Sequence, residues 1–134
     1  MKVGFTCGCF DGLHLGHKHL LREAARNCGY LIVAVNDDTW CLNHKGPGRP
    51  MFPLSTRMEA VSTYLSHLPA HNRYDHAIIP FTGHDWDLID AIRPAVVFRG
   101  HDQSTALYEL SIPVWRVDKL EGFSTTLLSQ GKSP

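Results

Sequence analysis

The segment Leu31-Ile32-Val33-Ala34-Val35 restricts the fold of this 134-residue chain more than any other feature of the sequence. A continuous apolar run, rich in β-branched side chains, is typical of a strand that is covered on both faces. Such strands occur in parallel sheets, where neighbouring strands need a crossover connection that is usually a helix. The segment therefore predicts an α/β fold in which strands and helices alternate.

The rest of the chain follows this alternation. The predicted strands cover residues 2–6, 30–35, 77–81, 95–98 and 113–117. The predicted helices cover residues 15–28, 54–68, 86–92 and 124–129, because apolar side chains recur there at helical spacing or a capping signal precedes the segment. We therefore expect one α/β domain over residues 1–134, with a Rossmann-like parallel sheet of about five strands and helices on both faces.

A long loop is predicted between the second strand and the second long helix. Residues 43–53 contain three prolines and two glycines. Proline lacks a backbone donor and glycine is entropically costly to order, so neither a helix nor a strand is expected there. Ser55, just after the loop, is a candidate N-cap for the following helix.

Composition excludes several classes of partner. Thirteen basic residues balance thirteen acidic ones, so no overall field would draw the protein onto a nucleic acid or an anionic membrane. The first residues do not resemble a signal peptide, and no apolar run approaches membrane-spanning length. We expect a cytoplasmic protein that recognises phosphate only locally.

The four cysteines give no sign of a metal centre. Cys7, Cys9, Cys28 and Cys41 lack the paired spacing of a zinc site and the density of a disulfide framework. We interpret them as reduced thiols in or beside the core, and we predict no protein-held metal site.

Two histidines carry the clearest chemical signal. His14 and His17 lie where the first strand and its Gly-rich turn lead into the first helix. Unpaired N–H groups and the helix dipole favour an anion at such a terminus, and Gly16 between the histidines allows a nucleotide to approach the backbone closely. A pair of surface or capping histidines is the ordinary interpretation of this spacing. The strand, the turn and the helix around it favour a phosphate site instead.

Residues 8–17 resemble the signature of the cytidylyltransferase-like nucleotidyltransferases, whose members include glycerol-3-phosphate cytidylyltransferase and the adenylyltransferase domain of ADP-heptose synthase. Later segments are similar to further motifs of the family, in the same order along the chain. These segments are 33–38, 45–50 with 54–58, 99–102 and 121–126. Residues 45–58 are particularly similar to the heptose branch. The resemblance thus runs from Gly8 to Thr126.

The resemblance implies a reaction. A phosphate oxygen of a phosphorylated sugar or alcohol would attack the α-phosphorus of ATP or CTP in line, and pyrophosphate would leave. Little covalent work falls to the protein in such a step, so positioning and charge stabilisation supply most of the rate. The resemblance also implies Mg²⁺ as cofactor and a homodimer.

The same resemblance assigns the site residues. His14, His17 and Lys45 would be catalytic, with Lys45 on a mobile loop and the imidazoles kept protonated by phosphate oxygens. Nucleotide contacts would come from eight residues: Cys9, Phe10, Gly16, Gly100, Asp102, Ser124, Thr125 and Thr126. Asp11, Asp38 and Arg57 would bind substrate.

Several of these assignments have a structural alternative. Asp11 would either hold a turn by accepting backbone N–H bonds or help to place Mg²⁺ and the reacting groups. Asp38 and Asp102 are either turn caps or acceptor contacts. Ser124 to Thr126 form an N-cap signal that still leaves N–H groups for a phosphate or ribose.

Four interpretations of function remain open on the sequence alone. ADP-sugar formation is favoured by residues 8–11 and 45–58, while CDP-alcohol formation fits the closing motif equally well. A binding module that has lost turnover is the alternative from another class, and the intact His14, His17 and Lys45 argue against it. A metal store built from the nine histidines is the last interpretation.

Overall fold

The computed structural model describes residues 2–69, 75–100 and 112–117. Within these residues, five parallel strands form one sheet in the order β3-β2-β1-β4-β5. The strands are β1 (Val3–Gly8), β2 (Tyr30–Asn36), β3 (Asp75–Phe81), β4 (Val96–Gly100) and β5 (Val114–Val117). The prediction of a five-stranded, Rossmann-like parallel sheet is confirmed.

Four helices connect the strands in the described residues. They are α1 (Leu15–Arg26), α2 (Asp38–Lys45), α3 (Leu54–Ser66) and α4 (Asp85–Ile92). Helices α1 and α3 pack on one face of the sheet, around Leu21 and Val61, and α4 packs on the other around Ile89. The prediction of helices on both faces is therefore confirmed. Among the described helices, none is long and apolar enough to cross a bilayer.

β1 lies at the centre of the sheet, and its side chains alternate between the two cores. Phe5 and Cys7 face α4, while Thr6 lies on the other face and donates to the Phe98 carbonyl at 2.8 Å. Gly4 packs closely against the ring of Phe98. A Cβ added at Gly4 would come within 2.6 Å of that side chain. The core thus tolerates only glycine at this point of β1.

Two local predictions were wrong. Residues 43–45 belong to the end of α2, so the loop covers only residues 46–53. Ser55 is not a cap, because α3 has Pro53 at its N-cap and no side-chain cap bond. The helix predicted at 124–129 lies outside the described residues.

The strand order places a crevice at one edge of the sheet. β1 has β2 and then β3 on one side and β4 and then β5 on the other, so the order in which the chain adds strands switches sides between β1 and β4. Ligands of open α/β sheets bind outside the carboxyl ends of the strands at such a point. The segment 9–14 leaves β1 at this edge and leads into α1, and α2 begins at the same edge after β2.

Candidate active site

The first turn of α1 is capped by two histidines. His14 is the N-cap residue, and its Nδ1 accepts from the Gly16 amide at 3.0 Å and from the His17 amide at 3.4 Å. In return, the Nδ1 of His17 accepts from the His14 amide at 3.2 Å. The rings stack with centroids 3.7 Å apart. The pair thus forms a reciprocal capping box in which imidazoles replace the usual hydroxyl and carboxylate.

This capping fixes the protonation of both rings. A ring nitrogen that accepts an N–H bond carries no proton, so the proton of each neutral imidazole lies on Nε2. Burial lowers the pKa of His14. Burial also lowers the pKa of His17 to about 3, and the charges of His14 and Lys45 act in the same direction. In this geometry both rings are neutral Nε2–H donors. The expectation that phosphate oxygens keep the imidazoles protonated concerns the nucleotide-bound site and stays a prediction.

The turn before α1 places His17 against an aromatic side chain. Phe10 is buried and has a φ of +51°. Its ring meets the His17 ring edge-to-face, with centroids 5.5 Å apart. Of the nucleotide contacts expected here, Phe10 thus packs against the ring of His17, while Gly16 supplies an amide to the cap.

Asp11 holds the loop over residues 46–53. Its carboxylate accepts from the amides of Met51 at 2.7 Å and Phe52 at 3.1 Å. Arg49 lies 3.6 Å away, and the Asp11 side chain is only 7% exposed. Of the two interpretations of Asp11, the geometry favours the structural one, although the amides belong to a distant loop and not to its own turn.

Arg57 is buried inside α3 and bonded to protein atoms on every side. Nη1 donates to the carbonyls of Cys9 and Asn36, both at 2.8 Å. Nε donates to the Phe52 carbonyl at 2.9 Å, and Nη2 pairs with Asp38 at 2.6 Å. The side chain is 0% exposed. This geometry speaks against the expected substrate contact, and Arg57 instead joins four segments of the chain.

Lys45 stands on a helix and not on the predicted mobile loop. It is the last residue of α2, followed by Gly46, whose amide donates to the Leu42 carbonyl at 3.1 Å. Its side chain is exposed, and its charge reaches the first turn of α1. Burial and the charge of His14 lower the pKa of His17, and the Lys45 ammonium adds to them. Lys45 is thus within electrostatic range of His17, whose ring stacks on that of His14.

The other predicted contacts divide between the edge of the sheet and residues that the structure does not describe. Cys9 is buried, and burial raises the pKa of its thiol to about 12. Gly100 ends β4 beside the crevice. Asp102, Ser124, Thr125 and Thr126 lie outside the described residues. Asp38 lies at the start of α2, half exposed, and pairs with Arg57.

A buried charged cluster at the same edge was missed. Arg99, in β4, donates to the Cys7 sulfur at 3.0 Å and lies 3.3 Å from the Asp85 carboxylate. Burial raises the pKa of Cys7 to about 12, so the thiol stays protonated. Arg99 stood within a matched motif, but nothing in the sequence connected it with residues of β1 and α4.

The described residues hold no ready-made group of ligands for Mg²⁺. Among residues 2–69, 75–100 and 112–117, no three His, Cys, Asp or Glu side chains are grouped as metal ligands. The Asp11 carboxylate already accepts two amides. Mg²⁺ is usually held by one or two carboxylates together with substrate phosphates. An Mg²⁺ ion at this site would therefore be coordinated mainly by phosphate oxygens of a bound ligand and less by protein side chains.

Comparison with known proteins agrees with this geometry. The model of the cytidylyltransferase-like family matches residues 5–126. The chain belongs to this family. Nearly the whole chain thus forms a cytidylyltransferase-like domain, as the resemblance of its motifs predicted.

The most similar relatives include two curated proteins named bifunctional protein HldE. The one from Gluconacetobacter diazotrophicus is 40% identical over 104 residues, which are 76% of this chain and 20% of that protein. The one from Acidiphilium cryptum is 36% identical over 132 residues, which are 93% of this chain and 26% of that protein. The chain thus spans about a fifth to a quarter of the length of these relatives.

Solved structures show the same fold. The lipopolysaccharide core biosynthesis protein from Thermoplasma volcanium superposes with a TM-score of 0.68 at 26% identity, over 90% of this chain and 99% of that one. A universal stress protein in complex with cAMP reaches a TM-score of 0.51 at 16% identity and shares the fold alone.

Proposed function

We propose that this cytidylyltransferase-like domain transfers a nucleotidyl group from ATP or CTP to a phosphorylated sugar or alcohol and releases pyrophosphate. One observation carries the proposal: the neutral imidazoles of His14 and His17 stack at the N-terminus of α1, within electrostatic reach of Lys45. The dipole of the helix favours an anion at this end, while the amides of Gly16 and His17 are already bonded to His14. Two N–H donors and one ammonium beside it match the needs of a polyphosphate.

The geometry supports a division of labour. Because Nδ1 of each ring is committed to the cap, Nε2–H is the group that would donate to oxygens of the α- and β-phosphates. Neither ring would act as a general base, since that would require a vacant ring nitrogen. Lys45 would neutralise charge that grows on the α-phosphate as the acceptor attacks, an interaction strongest in the transition state. The Mg²⁺ that accompanies the triphosphate would shield the remaining charge.

Among acceptors, we favour a heptose 1-phosphate and transfer of AMP. The segment 45–58 resembles the heptose branch, and the relatives that match most of this chain carry the name HldE. A CTP-dependent transfer to glycerol 3-phosphate is the alternative that the motifs also support. A homodimer and a cytoplasmic location remain predictions.

The experiment is a screen of donors against acceptors. The purified protein is incubated with Mg²⁺, each of ATP, CTP, GTP and UTP, and each of D-glycero-D-manno-heptose 1-phosphate, glycerol 3-phosphate and other sugar phosphates. Pyrophosphate is measured continuously, and the nucleotide product is identified by mass. We expect release that requires both ATP and the heptose phosphate.

The controls separate the alternatives. Release with CTP and glycerol 3-phosphate would replace the heptose assignment while preserving the enzyme class. Tight triphosphate binding without pyrophosphate release from any pair would indicate a binding module and refute catalysis. Stoichiometric Zn²⁺ or Ni²⁺ uptake, together with a melting temperature that nucleotides leave unchanged, would favour the metal store.

A further inference from the structure

Helix α2 is fixed to the sheet by few apolar contacts. Of its eight residues, all within the described part of the chain, Cys41 alone is buried. The Asp37 carboxylate caps the helix by accepting from the Trp40 amide at 2.8 Å, and the Asp37 amide donates to the Phe81 carbonyl at 3.0 Å. A helix that buries so little must be oriented mainly by polar contacts at its start.

Arg57 supplies the strongest of those contacts. Its guanidinium is shielded from solvent and pairs with the Asp38 carboxylate at 2.6 Å. The same guanidinium donates to the Cys9 carbonyl, which precedes the turn into α1, and to the Asn36 carbonyl, at the end of β2. A buried charge without partners would be costly, so these bonds define where each partner must lie. The planar fork therefore sets the start of α2 relative to the histidine turn.

Lys45 is at the opposite end of the same helix. The rise of an α-helix is about 1.5 Å per residue, so Lys45 lies about 10 Å along the axis from Asp38. A tilt at Asp38 is carried to Lys45 as a displacement, because the helix between them is hydrogen-bonded and stiff. A misplacement of about 1 Å at a reacting group is enough to reduce a rate by about 10²-fold.

We propose that Arg57 is a positioning residue that acts through Asp38 and α2 to hold Lys45 opposite the paired rings of His14 and His17. This inference rests on the proposed function for its catalytic consequence. The proposal assigns Arg57 a structural role in place of substrate binding. It also predicts that the effect of losing the Arg57–Asp38 pair passes entirely through Lys45.

A double-mutant cycle tests that path. Asp38→Ala removes the α2 branch of the network, while the Arg57 guanidinium keeps its bonds to the carbonyls of Cys9, Asn36 and Phe52. We expect it to lower kcat by between about ten-fold and about a hundred-fold while the KM for the acceptor changes by less than about two-fold. In a Lys45→Ala background, the same substitution should lower kcat by less than about two-fold further.

Two further variants complete the design. Arg57→Lys keeps the charge but lacks the fork that reaches the carbonyls of Cys9 and Asn36, so it should reproduce the kcat loss of Asp38→Ala. Asp90→Ala removes an exposed helical pair with Arg93 on α4 and should leave kcat unchanged. Losses that multiply in the Lys45→Ala background, or a raised acceptor KM in Asp38→Ala, would overturn the proposal in favour of a direct substrate contact.

Amide hydrogen exchange in α2 needs no turnover and separates the two proposals. Asp38→Ala should accelerate exchange across α2 and leave α1 unchanged. Unchanged exchange in α2 would refute the anchoring role, whatever the activity. A wild-type protein without turnover on any substrate pair, but with α2 loosened by Asp38→Ala, would instead refute the proposed function and retain the anchoring.

Discussion

Helix α1 buries Leu20, Leu21, Ala24 and Ala25 against the sheet, whereas α2 buries only Cys41. Both helices present groups to the same proposed polyphosphate site. α1 presents them from its capped N-terminus, and α2 presents Lys45 from its C-terminus. One half of the site is therefore built by apolar packing, and the other half by a charged network around Arg57.

The difference has a physical consequence. Apolar packing has no directional preference but resists small displacements, because interiors are close-packed. An ion pair with a fork of hydrogen bonds is directional and fails when one partner is removed. The histidine half should thus be insensitive to changes at the surface, while the lysine half should respond to single polar substitutions.

The largest expected difference between the helices is in stability. Leu21→Ala should reduce the free energy of unfolding by about 2 to 5 kcal/mol, because it leaves a cavity under α1. Leu42→Ala, at a site on α2 that is 50% exposed, should change it by less than about 0.5 kcal/mol. Urea unfolding of both variants measures the contrast. Equal losses would show that α2 is also held by packing.

The next effect is on turnover. His17→Ala should reduce kcat by about 10²-fold or more, because it removes one preorganised donor to the departing phosphates. His67→Ala, at the C-cap of α3, changes a histidine at the opposite edge of the sheet and should leave kcat unchanged. The steady-state rate of pyrophosphate release compares them. Wild-type turnover in His17→Ala would exclude the catalytic role of this ring.

The histidine half should also make stability depend on pH. The pKa of His17 is about 3 in the folded protein and 6.5 in its unperturbed form, so between those values the unfolded chain binds more protons. The free energy of unfolding should therefore fall as the pH drops below 6.5, by about 1 kcal/mol per pH unit, and gain nothing from this group above it. Urea unfolding at pH 7.5 and 5.5 measures the slope. It should shrink in His17→Asn and persist in His67→Asn.

The smallest effect concerns the cap of α2. Asp37→Ala should reduce the free energy of unfolding by about 1 kcal/mol, since it removes the acceptor for the Trp40 amide. The loss should appear as faster amide exchange in α2, with α1 unaffected. An equal increase in both helices would indicate a global effect and would contradict the separate anchoring of the two.

The sequence was sufficient where a signal is local. The apolar run of β2 and the helical period of α1 need only neighbouring residues, so both elements were predicted correctly. His14 and His17 lie in one turn of one helix, and their proximity follows from their spacing. The ordered family motifs along the chain then predicted that residues after β1 and residues after later strands contribute to one site.

The sequence failed where contacts are distant or helices are weakly amphipathic. α2 was not predicted, because Cys41 is its only buried side chain and its sequence therefore shows no apolar residues at helical spacing. The buried network of Arg57 was not predicted, because an arginine in a helix fits an exposed surface equally well. Its partners Cys9 and Asn36 lie 48 and 21 residues away, and nothing local marks them.

The reciprocal cap between His14 and His17 links folding to catalysis in a direct way. In many enzymes, active-site residues are poor choices for stability, so substitutions there stabilise the fold while they destroy activity. Here the nitrogen atoms that begin α1 belong to the same rings that would meet the nucleotide. A variant that discards either ring loses a helix start as well as a donor, so substitution there should reduce the stability of the fold together with turnover.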